Sequence, residues 1–215
     1  QELFIWSWPI VSAADFAARQ WHGANATENM DAQVQGNLLM VTQGAVKMTF
    51  NTTNGKLQEV IKIGQKMPLG NGPVLAGFDL AMAEFTHGKT DSGYRVMALY
   101  TGPATLEVQW IFVPGKPVQL KYRYVQFGEA EFRGLTFSFT EAAIKSVDYI
   151  GLGPYRVWKN RLKGGLFGPW HKDYNNTVTG ESWQYPEFKG YYAQVYKTRF
   201  NTSAGSFAVY AGHEP

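Results

Sequence analysis

The sequence predicts an all-β protein, a large antiparallel β-sandwich with one short N-terminal helix. Three observations carry this. From Asn37 onward the chain divides into short runs rich in β-branched and apolar residues. Gly, Pro and Asn punctuate those runs at near-regular spacing, as in sandwiches built from many short strands. The pair Asn54-Gly55 stands between two alternating runs, which is the strongest short-range hairpin signal. At 215 residues, with 45% hydrophobic and 15% aromatic content, the chain can fill one large all-β domain or two small ones.

Taken in order, Glu2 to Ile10 (ELFIWSWPI) is a short apolar run with Pro9 near its end. It suits the last strand of a preceding domain or an edge strand closed by proline. Ser12 to Gln20 (SAADFAARQ) is the helical signal: Ser12 caps it, Asp15 lies in the first turn, and Phe16 forms the buried face. His22 to Gly36 is polar and reads as a loop. Residues 1–36 are therefore expected to form a lead-in segment, and residues 37–215 the sandwich, with truncation at its C-terminal end left open. Strands are expected at LLMVTQ (38–43), AVKMTFN (45–51) and LQEVIKI (57–63). Further strands are expected at Tyr94–Tyr100, Leu106–Val113, Val118–Gln126, Leu135–Thr140, Ile144–Ile150, Tyr191–Phe200 and Ser206–Tyr210. The hairpin at Asn54-Gly55 is expected to be type I′, with Gly55 at positive φ. Sequons at Asn25, Asn51, Asn175 and Asn201 read as ordinary turn chemistry.

Composition narrows the function. The formal charge of +3 is spread without runs, so a clustered basic face for nucleic acid is not expected. No apolar run approaches the roughly 18 residues of a membrane span. With no cysteine there is neither a disulfide framework nor thiolate chemistry, which is compatible with a periplasmic or extracellular enzyme. The chain opens at Gln1 without a signal peptide and reads as a mature form or a piece of something longer.

The stretch from Asp148 to Tyr192 concentrates the chemistry. It holds three of the seven tryptophans (Trp158, Trp170, Trp183), with Tyr149, Tyr155, Tyr174, Tyr185, Tyr191 and Tyr192. Arg156, Lys159, Arg161, Lys163 and Lys172 lie between them. Gly151, Gly153 and Pro154 are expected to end a strand and place Tyr155 and its successors on a loop. Flat aromatic faces beside polar groups suit a sugar ring, which offers C–H bonds to stack and hydroxyls to bind. The competing reading is that these rings are packing beneath a long loop.

The same stretch carries a resemblance. VDYIGLGPYRVWKNRLKGG resembles the segment of family 2 β-galactosidases in which a strand ends in G-x-G-P and a loop with a Tyr and a basic residue follows. WQYPEFKGYYAQV resembles that family's Y-x-x-P-x-E/D-x-G stretch, and Val41 to Pro73 its opening hairpin, so the likeness runs over about Leu38 to Tyr210. The resemblance implies the C-terminal "small chain" domain of family 2 glycoside hydrolases, a galactose-mutarotase-like supersandwich. It implies an accessory role in carbohydrate metabolism: lining or buttressing a glycan site built mainly by a catalytic barrel of the same parent chain. The expected substrate-binding residues, from the aromatic and polar crowding together with these motifs, are Tyr155, Arg156, Trp170, His171, Trp183, Tyr185 and Glu187, and the expected partner is an oligosaccharide or polysaccharide. The family's Arg/Trp-Ala-Pro-x-Asp-Asn loop is absent; Gly72-Pro73 is followed instead by VLAGFDLAMAEFTHGKTDSG.

Glycosidases need two carboxyls flanking the scissile bond, roughly 5–10 Å apart. Glu84, Asp91, Asp173, Glu181 and Glu187 lie near aromatic segments, but none sits in a catalytic motif, so no catalytic residue is assigned to this chain. An alternative is a stand-alone glycan-binding module. A third reading, an aldose 1-epimerase-like enzyme, would draw a His acid from His22, His87, His171 or His213 and a base from Glu84 or Glu187. Glu84 and His87 are three apart, which on a strand puts them on opposite faces. No metal is expected, because Asp173, Asn175 and Asn176 match no calcium loop. No nucleotide cofactor is expected, because Gly151-Leu-Gly153 lacks the third glycine and helix of a dinucleotide fingerprint.

Overall fold

The computed structural model describes residues 6–20, 29–126, 128–129, 133–157, 165–173 and 191–212, the side chains of Tyr155 and Val157 excepted. The protein is all-β, with one short α-helix and antiparallel pairing throughout the described sheets. The chain forms two compact units: a central one, Gly23–Glu141, and a terminal one that joins Gln1–His22 to Ala142–Pro215.

The central unit contains two sheets. One has seven strands: β1 (Met30–Gln35), β2 (Leu38–Gln43), β3 (Val46–Asn51), β4 (Leu57–Lys62), β6 (Gly70–Leu75) and β11 (Leu135–Ser138) in that order, with β5 (Gln65–Met67) paired to β4. The other has four strands, in the order β10 (Gln119–Gln126), β9 (Ala104–Phe112), β8 (Gly93–Thr101), β7 (Ala81–Thr90). Burial alternates residue by residue along β2, β8 and β9, the mark of strands with one face on a core. Phe50 of β3 meets Trp110 and Phe112 of β9 edge-on, with ring centroids 5.7 and 6.2 Å apart. The two sheets thus close on one another as a sandwich, filled by Leu39, Val41, Leu57, Leu75, Val96, Leu106 and Val108.

The Asn54-Gly55 hairpin forms, and Gly55 has φ +70°. It is not the two-residue type I′ turn, because Asn54 does not adopt positive φ. The turn is longer because the Asn51 side chain accepts hydrogen bonds from the backbone N–H groups of Thr53 (2.8 Å) and Asn54 (3.3 Å), an Asx arrangement that winds the chain before Gly55 turns it back. Polarity misleads over His22–Gly36: Met30–Gln35 is an edge strand, and an edge strand needs a buried face on few of its residues.

Among the described residues the terminal unit is a four-stranded sheet, β13 (Leu166–Asp173), β12 (Ile144–Val157), β14 (Tyr191–Thr202), β15 (Gly205–Tyr210), with helix α1 (Ala13–Arg19) lying against β14. The helix begins where expected: Ser12 is its N-cap and its Oγ accepts from the Asp15 N–H at 3.1 Å. Phe16 turns its ring toward Tyr196 and Tyr210, at 6.0 and 6.5 Å. Trp6–Ile10 forms no strand; within it the Ser7 Oγ accepts from the Phe167 N–H at 2.5 Å.

The expected break at Gly151, Gly153 and Pro154 does not occur, since β12 continues to Val157. The ladder absorbs these residues through irregularity. Pairing with β14 shifts between Ile150 and Leu152 and again between Leu152 and Val157, opposite a bulge at Gln194, whose φ is +49°. Gly151 has no side chain where the bulged strand comes closest: a Cβ there would lie 3.1 Å from the Gln194 carbonyl oxygen and from the Val195 Cα. Pro154, which has no N–H to give, falls just past the last residue paired with β13.

Candidate functional site

Every described residue of the expected substrate-binding set lies on the terminal sheet. The β12–β13 register sets Asp148 opposite His171 and Tyr149 opposite Trp170. Successive residues of a strand face opposite sides, so these two pairs lie on different faces of the sheet. Trp170 and His171, expected together on one loop, are both in β13 and point apart. Tyr155 and Arg156 are in β12, and the Tyr155 side chain is outside the described residues. Trp183, Tyr185 and Glu187 lie outside them too, as does Trp158.

The first face is polar and open. His171 Nδ1 is 2.6 Å from Asp148 Oδ1, and its Nε2 is 3.5 Å from Asp173 Oδ1. Asn201 on β14 donates from Nδ2 to Asp148 Oδ2 (2.7 Å) and to Ser146 Oγ (3.0 Å). Next along β14, Arg199 donates to Ser206 Oγ from Nε and Nη2, at 3.2 and 3.0 Å. The hydrogen bond with Asp148 and the charges of both carboxylates push the His171 pKa up. The bonds from His171 and Asn201, aided by the charge of Arg199, pull the Asp148 carboxyl down against a small opposing effect of burial. The side chains of His171 and Asp148 are 59% and 45% exposed, so water screens the pair and its weight in stability is small.

The signs give a pH window. A raised histidine pKa stabilises fully below its ordinary value of 6.5 and loses that contribution as pH rises through the folded value. A lowered carboxyl stabilises above its ordinary 3.8 and loses that contribution as pH falls through the folded value. The pair contributes fully between those two ordinary values. In an NMR titration His171 is expected to protonate above 6.5, and Asp148→Asn to bring it back down. A wild-type value at or below 6.5 would count against the ion pair.

The second face is aromatic. Trp170 donates its indole N–H to the Gly151 carbonyl at 3.1 Å, which fixes the ring along β12. Gly153 lies beneath it: a Cβ there would be 2.6 Å from Trp170 Nε1 and closer still to the Tyr149 hydroxyl. Trp170 and Tyr149 therefore lean toward the same end of β12. At that end the Tyr149 and Tyr192 rings meet with centroids 4.8 Å apart. Burial pushes both phenol pKa values up, and each hydroxyl keeps its proton through the physiological range. Arg156 is near enough for its charge to favour ionised Tyr192, a weaker influence than burial. Tyr149 is 4% exposed, and its hydroxyl has no hydrogen-bond partner among the described residues. A buried hydroxyl left so costs about 1–3 kcal/mol.

Sequence reasoning assigned Trp170, His171 and Arg156 to the site but gave no site role to Asp148, Tyr149, Tyr192 or Asn201. The available signal was the alternation in Ser146–Ile150, which sends Asp148 and Tyr149 to opposite faces once the strand is accepted. Elsewhere, Glu84 and His87 lie in β7 on opposite faces, as expected, and His87 Nδ1 is 2.7 Å from the Tyr94 hydroxyl. Among the described residues no group of three or more His, Cys, Asp or Glu could hold a metal ion. No helix among them is long and apolar enough to cross a membrane.

The fold and these two faces define the class: an all-β protein whose candidate site is carried on an antiparallel sheet. No protein-family model matches the sequence, and no curated protein matches it.

Proposed function

We propose that this chain is an accessory, carbohydrate-associated domain of a glycoside hydrolase with a β-galactosidase-like parent. In this reading it is a galactose-mutarotase-like supersandwich that lines or buttresses a glycan site, works in the periplasm or outside the cell, and is not a catalyst alone. The supporting observation is a run of exposed large apolar side chains in the lead-in segment. Trp6, Trp8 and Ile10 are 73%, 70% and 92% exposed, alternating with the half-buried Ser7 and Pro9. A contiguous strip of large apolar side chains marks a contact surface for another protein element. It favours a domain that packs against a catalytic partner over a self-contained glycan-binding module, whose apolar surface would gather in one binding cleft. The aromatic face of β12 and β13 supplies the wall for the sugar.

The isolated chain is expected to show no turnover on a panel of nitrophenyl glycosides. Hydrolysis that disappears in Glu187→Gln would make the chain itself a glycosidase and sink this reading. Retention of galacto-oligosaccharides on affinity electrophoresis, weakened by Trp170→Ala with the melting curve preserved, is the positive sign. Loss of folding in Trp170→Ala, with binding following only the folded fraction, would assign the ring to packing.

A further inference from the structure

The turn between β3 and β4 carries a chemistry of its own. An asparagine followed by glycine can cyclise, because glycine has no side chain to block a close approach of its backbone. The glycine nitrogen loses its proton to hydroxide and attacks the asparagine Cγ. The carboxamide nitrogen leaves as ammonia, and a five-membered succinimide remains. Water then opens that ring at either carbonyl, giving aspartate or isoaspartate; in isoaspartate the main chain runs through the former side chain. Asn54 is exposed to the water this needs. The attacking atom, however, is held. The Gly55 N–H donates to the Asn51 carbonyl at 2.8 Å, a bond that must break before the proton can leave. The Asn51 N–H donates to the Lys56 carbonyl at 2.9 Å, and the Asn51 side chain accepts from the Thr53 and Asn54 N–H groups, so both ends of the turn are tied to one residue. The Lys56 N–H donates to Asn54 Oδ1 at 3.0 Å; this draws electrons from Cγ, which favours attack, but it also pins the amide to the closed turn. Swinging the Gly55 nitrogen toward Cγ would move a residue already packed tightly, since even a Cβ there would lie 2.7 Å from the Tyr100 hydroxyl.

We propose that Asn54-Gly55 is a deamidation site gated by the hairpin: unreactive while the β3–β4 turn is closed, and modified in molecules whose turn opens. The modification runs one way. Isoaspartate adds a carbon to the main chain of a turn that lies against Ala98 and Tyr100, core residues of β8, and a close-packed interior has no room for it. A modified hairpin therefore does not close again in the original geometry, and the product marks chains that have opened. The other Asn-Gly pair of the sequence, Asn71-Gly72, lies within strand β6 and not in this turn.

The test incubates the whole chain at mildly alkaline pH and follows the tryptic peptide Met48–Lys56 by mass spectrometry, with isoaspartate read by enzymatic methylation. Asn71-Gly72 falls in a different peptide, because Lys56, Lys62 and Lys66 lie between the two pairs. Conversion at Asn54 is expected to be at least about tenfold slower in the folded chain than in urea, the scale of one hydrogen-bonded closure. Asn51→Ala removes the acceptor that ties the turn. It should convert faster than wild type when folded and at the wild-type rate in urea. Asn51→Asp keeps an acceptor oxygen and should stay protected; Asn51→Ser replaces Asn51→Ala if that variant does not fold. When urea is removed, unmodified molecules should recover the wild-type melting curve and isoaspartate-containing molecules should not. Equal rates in the folded chain and in urea overturn the gate. A folded variant lacking the Asn51 carboxamide that converts no faster than wild type overturns the assignment of the gate to this turn. Recovery of the wild-type melting curve by isoaspartate-containing chains overturns the one-way step.

Discussion

Phe50→Ala is expected to destabilise the central unit by about 3–5 kcal/mol, the usual cost of truncating a fully buried aromatic. Phe50 is 0% exposed and sits where the seven-stranded and four-stranded sheets meet. Its ring lies edge-on to Trp110 at 5.7 Å and perpendicular to Phe112 at 6.2 Å, and Trp110 in turn meets Phe137 of β11 at 6.1 Å. Removing it takes away the lost transfer energy and leaves a cavity that two rigid sheets close only in part. The melting temperature should fall by about 10 °C. Phe50→Leu keeps most of the volume and should lose less than half as much. A melting curve for Phe50→Ala within 2 °C or so of wild type would mean that this ring does not join the two sheets.

Gly55→Val should cost about 2–5 kcal/mol, from two separable sources. The first is the backbone: at φ +70° a side chain crowds its own carbonyl, at roughly 1–2 kcal/mol. The second is space. A Cβ at position 55 would lie 2.7 Å from the Tyr100 hydroxyl, 3.0 Å from the Ala98 Cβ and 3.1 Å from the Met82 sulfur. Ala98 and Tyr100 are core residues of β8 and cannot withdraw cheaply, and overpacking of this kind adds about 1–3 kcal/mol. Gly64 is the control, since its φ is +73° and a Cβ there meets nothing within 4 Å. Gly64→Val should show the backbone cost alone. Equal losses at the two positions would remove the steric half of the argument. The clash should also be visible spectroscopically. Burial holds the Tyr100 pKa at about 12, and forcing the strand away from Gly55 would admit water and lower it.

The fold was largely legible because strands with one buried face announce themselves. The runs beginning at Leu38, Ala45 and Leu57 fell within a residue or two of β2, β3 and β4, and Ser12 fixed the start of the helix. The strands that escaped notice were those whose burial pattern is weak. β1 and β7 have exposed residues at most positions, β5 has only three residues, and β6 and β13 carry glycine or proline inside them. Glycine and proline in β12 looked like a strand end because the reading weighed the residues alone. In the folded sheet Gly151 makes room for a bulge in the neighbouring strand, and Pro154 sits where pairing with β13 has already stopped.

The candidate site divides along the same line. By itself the sequence determined that aromatic and basic residues crowd one stretch, that Gly55 must turn with positive φ, and that the chain builds antiparallel sheets. It also supplied Trp170, His171 and Arg156 as residues of interest. Only the tertiary structure decided which of them act together. Register is a long-range choice: His171 finds Asp148 across 23 positions and Asn201 finds it across 53, and nothing local encodes those distances. That choice separated Trp170 from His171, gave the imidazole a carboxylate partner, and brought the Tyr149 and Tyr192 rings together. In a strand a single residue's shift exchanges one face for the other, so composition locates the chemistry while hydrogen-bonded pairing decides its side of the sheet.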